Sequence, residues 1–236
     1  MNQPQLEALG DSALLIRFGD RIDRALNAEV IAAVEILRAS NLQGVHDIAP
    51  AYASVCVRYN PAVWGANLDR ASPYEHIAAA IRAALASTDT RRAKADESAV
   101  IEIPVCYGGE FGPDLSFVAE CTKLTPEDVI ARHSNSDYRV AMLGFAPGFP
   151  YLLGLDSALQ IPRRANPRTR VPAGSVAIGG AQTGIYPREL PGGWHLIGRT
   201  PLNLFDVTRD PPALLAPGML VRFRAIDPAA LAAFER

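Results

Sequence analysis

Between residues 27 and 39 the apolar positions Val30, Ile31, Val34 and Leu37 recur at three- and four-residue intervals, the spacing of one helix face, with Asn27 placed to cap its start. Residues 13–18 (ALLIRF) and 53–59 (ASVCVRY) are short apolar runs that predict strands on either side of it. A second helix is expected from Ser72 as its cap and Pro73 as its first residue, with Ile77, Ile81 and Leu85 as an apolar stripe. The first 87 residues thus predict a β-α-β-α unit. It carries no polar motif, which suits docking or assembly better than chemistry.

Residues 87–98 (STDTRRAKADES) are polar, charged and without periodicity. They set the expected organisation: an α/β domain over 1–88, a linker over 89–98 and a second domain over 99–236. That domain opens with an alternating strand, 100–106, and a turn-rich loop, 107–114, whose last residue, Asp114, can cap a helix running to about Cys121. Thr125 caps a further helix, with Pro126, Glu127 and Asp128 in its first turn and an end near His133. From Tyr138 onward, short apolar runs alternate with Gly and Pro turns, the pattern of a closed or partly closed β-barrel. The expected class is α+β.

The turns are concentrated. Eleven of the nineteen prolines and eleven of the eighteen glycines fall between Gly144 and Gly218, yet they bracket strand-like runs such as 175–178 (SVAI) and 194–197 (WHLI). That reads as rigid turns on an ordered scaffold.

Composition narrows the function classes. The chain has 236 residues, 49% hydrophobic and 20% charged, with a formal net charge of -2. That balance offers no general attraction to nucleic acid or an anionic membrane. No apolar run approaches the roughly 18 residues of a membrane span, and the first residues lack the pattern of a signal peptide, so a cytoplasmic protein is expected. Cys56, Cys106 and Cys121 are odd in number and lack CxxC spacing, which suggests buried thiols. The four histidines have no metal-ligand spacing, and no protein metal site is expected.

Charge is nevertheless uneven: between Ser157 and Phe205 there are six arginines, no lysine and one acid, Glu189. Arg163, Arg164, Arg168 and Arg170 lie in a run pinned by Pro162, Pro167 and Pro172. Arginine suits bidentate recognition of carboxylate or phosphate, and a fixed backbone lowers the cost of ordering a binding loop. A solvated charge run is the plainer alternative. Phe145, Pro147 and Phe149 can form a rigid apolar wall or simply pack. The run 179–184 (GGAQTG) begins like a phosphate loop, but Ile185 and Tyr186 stand where Lys and Ser/Thr are needed. Ser175 lacks the flanking glycines of a nucleophile elbow. His133, at a helix end, is either a helix-terminal histidine or a catalytic one, and Trp194 and His195 fall on opposite faces of a strand.

Four segments, 106–115 (CYGGEFGPDL), 143–155 (LGFAPGFPYLLGL), 162–187 (PRRANPRTRVPAGSVAIGGAQTGIYP) and 191–206 (PGGWHLIGRTPLNLFD), closely resemble the KipI family, whose members are also described as the B component of 5-oxoprolinase and as the first component of allophanate hydrolase. The resemblance implies a small α/β domain followed by a cyclophilin-like barrel. It implies ATP-dependent opening of the 5-oxoproline lactam to glutamate, together with a KipA-like sister protein of related cyclophilin-like fold and a LamB/YcsF-like protein, the other components of the enzyme. ATP, with magnesium, would bind at a site shared with a partner. Under that reading Arg163, Arg164, Gln182 and His133 are the catalytic candidates, and Phe145, Pro147, Phe149, Arg168, Arg170, Thr183, Tyr186 and Trp194 contact substrate. Inhibition of a histidine kinase, or half of a urea-type biotin-dependent carboxyltransferase, are the alternative roles the family allows.

Overall fold

The computed structural model describes residues 4–65, 71–87 and 100–234. The chain forms two compact units, Met1–Glu97 and Ser98–Arg236. The expected linker, 89–98, lies outside the described residues.

The first unit runs β1 (Gln5–Ala8), β2 (Ala13–Arg17), α1 (Arg24–Ala39), β3 (Val45–Pro50), β4 (Ser54–Tyr59), α2 (Pro61–Trp64) and α3 (Pro73–Ser87). Its strands form an antiparallel sheet ordered β1-β2-β4-β3. Leu14 and Ile16 of β2 and Val55, Val57 and Tyr59 of β4 alternate onto one face, where Val30, Val34 and Leu37 of α1 and Ile77 and Ile81 of α3 cover them. The unit holds more than the β-α-β-α pattern. Both overlooked strands, β1 and β3, are sheet edges with few buried residues, so they leave little hydrophobic signature in the sequence.

The cap of α1 is also corrected. Asp23 accepts hydrogen bonds from the Ala25 and Leu26 N–H groups at 2.8 and 3.0 Å. Asn27 lies one turn inside the helix, fully buried, and its amide donates to the Ala51 and Tyr52 carbonyls at 3.2 Å each. At α3, Ser72 and Glu75 bond reciprocally: the Glu75 N–H donates to the Ser72 hydroxyl and the Ser72 N–H to the Glu75 carboxylate.

The second unit contains β5 (Ile101–Tyr107), α4 (Leu115–Thr122), α5 (Pro126–Ser134), β6 (Tyr138–Leu143), β7 (Pro150–Leu153), a 3-10 turn (Ser157–Leu159), β8 (Arg168–Val171), β9 (Ser175–Gly179), β10 (Gln182–Ile185), β11 (Leu190–Gly192), β12 (His195–Arg199), β13 (Leu220–Ile226) and α6 (Pro228–Phe234). Seven strands close into a barrel in the order β10-β7-β6-β13-β5-β12-β9, with only β13 and β5 parallel among the pairs. Strands β8 and β11 form a separate two-stranded ribbon. The architecture is α+β, as expected.

Strand alternation gives this barrel two apolar layers. Leu152, Val176, Ile178, Ile185 and Ile197 point inward and meet Leu115 and Val118 of α4 and Val129 of α5. Ala177, Leu196 and Tyr151, their neighbours in sequence, point outward into a second cluster with Phe149, Tyr186 and Trp194. Gly184 lies on that outer side, where a Cβ would stand 2.7 Å from the Pro150 carbonyl and 3.1 Å from the Phe149 and Trp194 rings. Of the three cysteines, Cys106 is buried and Cys56 half-buried. Cys121 is exposed, against expectation, because it sits on the outward side of α4.

Candidate functional site

The outer cluster is a mesh of rings. Phe149 meets Tyr151, Tyr186 and Trp194 at centroid distances of 4.9, 5.2 and 5.8 Å, the last two edge-on. Phe145 rests edge-on against Phe149 at 5.4 Å but is 60% exposed, and it holds a left-handed backbone at φ 67°. An exposed aromatic residue in that conformation carries local strain, a frequent mark of a functional loop. The loop is braced from behind: a Cβ at Gly148 would come within 2.7 Å of the Phe205 side chain. Pro147, at the turn, is exposed.

Above these rings stands Arg163. Its guanidinium lies 5.6 Å over the Trp194 ring and donates to Gln182 Oε1 at 3.2 Å. Gln182 reaches it from the start of β10, whose hairpin with β9 turns through Gly180 at φ 64°. The GGAQTG run is therefore a tight β-hairpin. Arg163 has no carboxylate partner among the described residues.

Arg164 and Arg168, expected alongside it as cations facing an anion, turn elsewhere. Arg168 makes a two-pronged bond to Asp114, Nη1 to Oδ2 and Nη2 to Oδ1, both at 2.8 Å, and Arg164 Nη1 adds a third contact to Oδ1 at 3.1 Å. The Leu196 backbone N–H supplies a fourth at 2.7 Å. Asp114 holds the N-terminal position of α4 without capping it through its side chain, so its expected role is corrected. Burial pushes its pKa up, but the Arg168 hydrogen bond, the Leu196 N–H and the two guanidinium charges outweigh that and hold it below the ordinary 3.8. The carboxylate fastens the arginine loop to β12, and the Arg164 N–H to Gly193 carbonyl bond at 2.8 Å adds a second fastening. Arg163 is thereby held over Trp194 by its neighbour in sequence.

The remaining candidates divide by layer. Arg170 is an exposed ribbon residue 3.5 Å from Glu189. Tyr186 is 2% exposed and its phenolic oxygen lies hard against Gly192, so it forms the floor of the cluster. Trp194 is on the outer layer. His195 lies on its other side, stacked on Phe117 at 5.0 Å with Nε2 donating to the Pro162 carbonyl at 3.0 Å.

His133 and Thr183 are not on this surface. Both are fully buried inside the barrel and bonded to each other, His133 Nε2 to Thr183 Oγ1 at 3.0 Å. The Thr183 hydroxyl has one proton and gives it to the Ala177 carbonyl at 3.0 Å, so it accepts from Nε2–H. Nδ1 then accepts from the Tyr107 hydroxyl at 2.8 Å. Burial drives the His133 pKa down to about 3, and the ring packs on Phe223 at 4.5 Å as a neutral internal brace. The helix-end position suggested an accessible imidazole because α5's packing into the barrel is invisible in the sequence.

A consequence is testable. The unfolded chain gains a proton at His133 below about pH 6.5, whereas the folded one does not until about pH 3, so this stabilisation is complete above 6.5 and is lost progressively on acidification. Wild-type protein is expected to lose about 1.4 kcal/mol per pH unit more than His133→Asn between pH 6 and 4. Denaturant midpoints across that range measure it, and equal slopes would contradict the buried neutral assignment.

Sequence reasoning missed Asp114 and Tyr151 as parts of the site. A cluster of arginines with one nearby acid needed a second carboxylate, and that was the available signal for Asp114. Among the described residues no group of three His, Cys, Asp or Glu could hold a metal ion, and no helix is long and apolar enough to cross a membrane.

Comparison with known proteins places this geometry. Residues 4–215 match the family described as carboxyltransferase domain, subdomain C and D. A Bacillus subtilis protein named as the B component of 5-oxoprolinase is 44% identical over 232 residues, covering 94% of this chain and 93% of its own. The crystal structure of TTHA0988 is 36% identical with a TM-score of 0.77 over 91% of this chain, which spans 40% of that longer protein. The Kluyveromyces lactis urea carboxylase matches 98% of this chain with a TM-score of 0.73, this chain spanning 22% of it; at 18% identity that likeness concerns the fold alone. The outer-face motifs thus sit in a known family, and the chain belongs to the carboxyltransferase subdomain C and D family, among proteins of the 5-oxoprolinase B-component kind.

Proposed function

We propose that this chain is one component of an ATP-dependent 5-oxoprolinase and that its outer-face surface is half of a site completed by a partner protein. The observation that carries this reading is the 44% identity to a 5-oxoprolinase B component across nearly the whole of both chains. The geometry is consistent with it: one exposed arginine without a carboxylate partner, a hydrogen-bonding amide and an exposed phenyl ring stand together over a rigid aromatic floor.

The substrate of that reaction carries a carboxylate and a resonance-stabilised lactam. Arg163 would take an anionic oxygen, of the carboxylate or of the lactam as charge develops on it, with Gln182 fixing the guanidinium's direction. Phe145 would shield the apolar ring face from water. Arg164 and Arg168 act at one remove, because both are held by Asp114, which cancels one of their two charges.

Among this chain's own described residues the GGAQTG run is a hairpin and no group of three metal-ligating side chains occurs, which favours an ATP and magnesium site shared with a partner. We therefore assign the nucleotide mainly to the KipA-like sister and LamB/YcsF-like proteins, in the cytoplasm. Release of glutamate from 5-oxoproline and ATP by the combined proteins tests the proposal.

A further inference from the structure

A second cationic position lies on the same outer face, about 13 Å along β9 from the Gly179 end where Arg163 stands, taking four residues at 3.3 Å each. Arg199, at the end of β12, is the cross-strand partner of Ser175 at the start of β9, so both side chains rise on one side of the ladder. Each holds a buried polar atom with no hydrogen-bond partner, Arg199 Nε and Ser175 Oγ. Ser175 is 1% exposed and Arg199 half-buried. The guanidinium lies 5.4 Å over the Phe111 ring. Glu110 and Asp227 lie close enough to act on the neighbouring Cys106 thiol, but neither forms an ion pair with Arg199.

Buried donors are paired in folded proteins, and leaving a guanidinium N–H without an acceptor is costly. Here two unsatisfied groups of complementary capacity, an N–H donor and a hydroxyl, occur on paired residues. The Phe111 ring beneath gives the guanidinium a cation–π partner and leaves its N–H groups free for an oxyanion. Around them the backbone is fixed: Gly174 presses on the Thr200 carbonyl, and Gly112 on the Ile197 carbonyl, closely enough that a Cβ at either would clash. Neither Arg199 nor Ser175 belongs to the Arg163 surface.

We propose that Arg199 and Ser175 form a second oxyanion-binding site, for a phosphate or carboxylate group, separate from the Arg163 surface and independent of the assembly reading. The outer guanidinium nitrogens of half-buried Arg199 take the anion first, and a shift of that side chain opens Nε and the Ser175 hydroxyl, both closed to solvent in the unliganded chain, to the same anion.

The test uses the full chain at fixed ionic strength, titrated with inorganic phosphate, with acetate and with chloride, following the thermal midpoint. The expected result is a saturable rise with phosphate, acetate or both that chloride does not reproduce. Phosphate alone identifies a phosphoryl-type ligand, and acetate alone a carboxylate. Arg199→Gln abolishes the rise and Ser175→Ala weakens it by about tenfold in affinity, one hydrogen bond's worth, whereas Arg222→Gln, an exposed arginine paired with Asp137 and outside both surfaces, leaves it intact. Should Arg199→Gln fail to fold, the Nε–H NMR signal of Arg199 in the wild-type protein is followed instead, and it shifts with the anion. A response no greater than chloride's, a rise that persists in Arg199→Gln, or an Nε–H signal that does not move overturns the site.

Discussion

Replacing Asp114 with alanine is expected to destabilise the barrel unit by about 3–5 kcal/mol, the cost of leaving buried charges without their partner. The Asp114 side chain is only 7% exposed and satisfies two guanidinium groups and a backbone N–H at once. Its removal leaves Arg164 and Arg168 facing each other, partly desolvated, with no acid between them. Asp114→Asn keeps the shape and the Leu196 bond but loses the charge, so it falls between alanine and wild type. Equilibrium denaturation measures both, and a loss under about 1 kcal/mol for alanine would contradict the role given to this carboxylate. The pH window follows from its lowered pKa: the contribution is present above the ordinary 3.8 and fades as pH falls below it, at the acid end of the window in which His133 acts.

What the sequence makes legible follows from where each signal is stored. Strand β4 and the helices α1 and α5 announce themselves because burial on one side imposes a period on their own residues, and β5 and β9 because their buried stretches are continuous apolar runs. The edge strands β1 and β3 bury little and imprint little. Asp114 reads as a helix cap in the sequence because its partners lie 50, 54 and 82 residues away, a distance no local pattern spans. The same reasoning explains His133, whose partners Tyr107 and Thr183 come from two other strands. Phe145, Arg163, Gln182 and Trp194 are legible as a group because turn-rich segments crowd them together, although only the fold separates Arg163 from the arginines beside it.

Arg163→Ala carries the second large expected effect. In the assembled enzyme it is expected to lower the rate of glutamate formation by about 10²–10³-fold, the range for losing one preorganised group that stabilises developing negative charge. Arg163→Lys keeps the charge but not the fork that bonds Gln182, and falls between. Because Arg163 is exposed and buries no partner charge, the thermal midpoint of the variant stays near wild type, which separates this loss from the structural one at Asp114. A fully active Arg163→Ala complex would remove this residue from the site.

The central claim is that this chain supplies part of a 5-oxoprolinase site, and an omission experiment tests it most directly. Purified chain, KipA-like sister protein and LamB/YcsF-like protein are combined with 5-oxoproline and ATP, and glutamate is measured for the full mixture and with each protein left out. Glutamate release by the full mixture, lost when this chain is omitted and absent from this chain alone, is the predicted result. No release by any combination, or undiminished release without this chain, would contradict it.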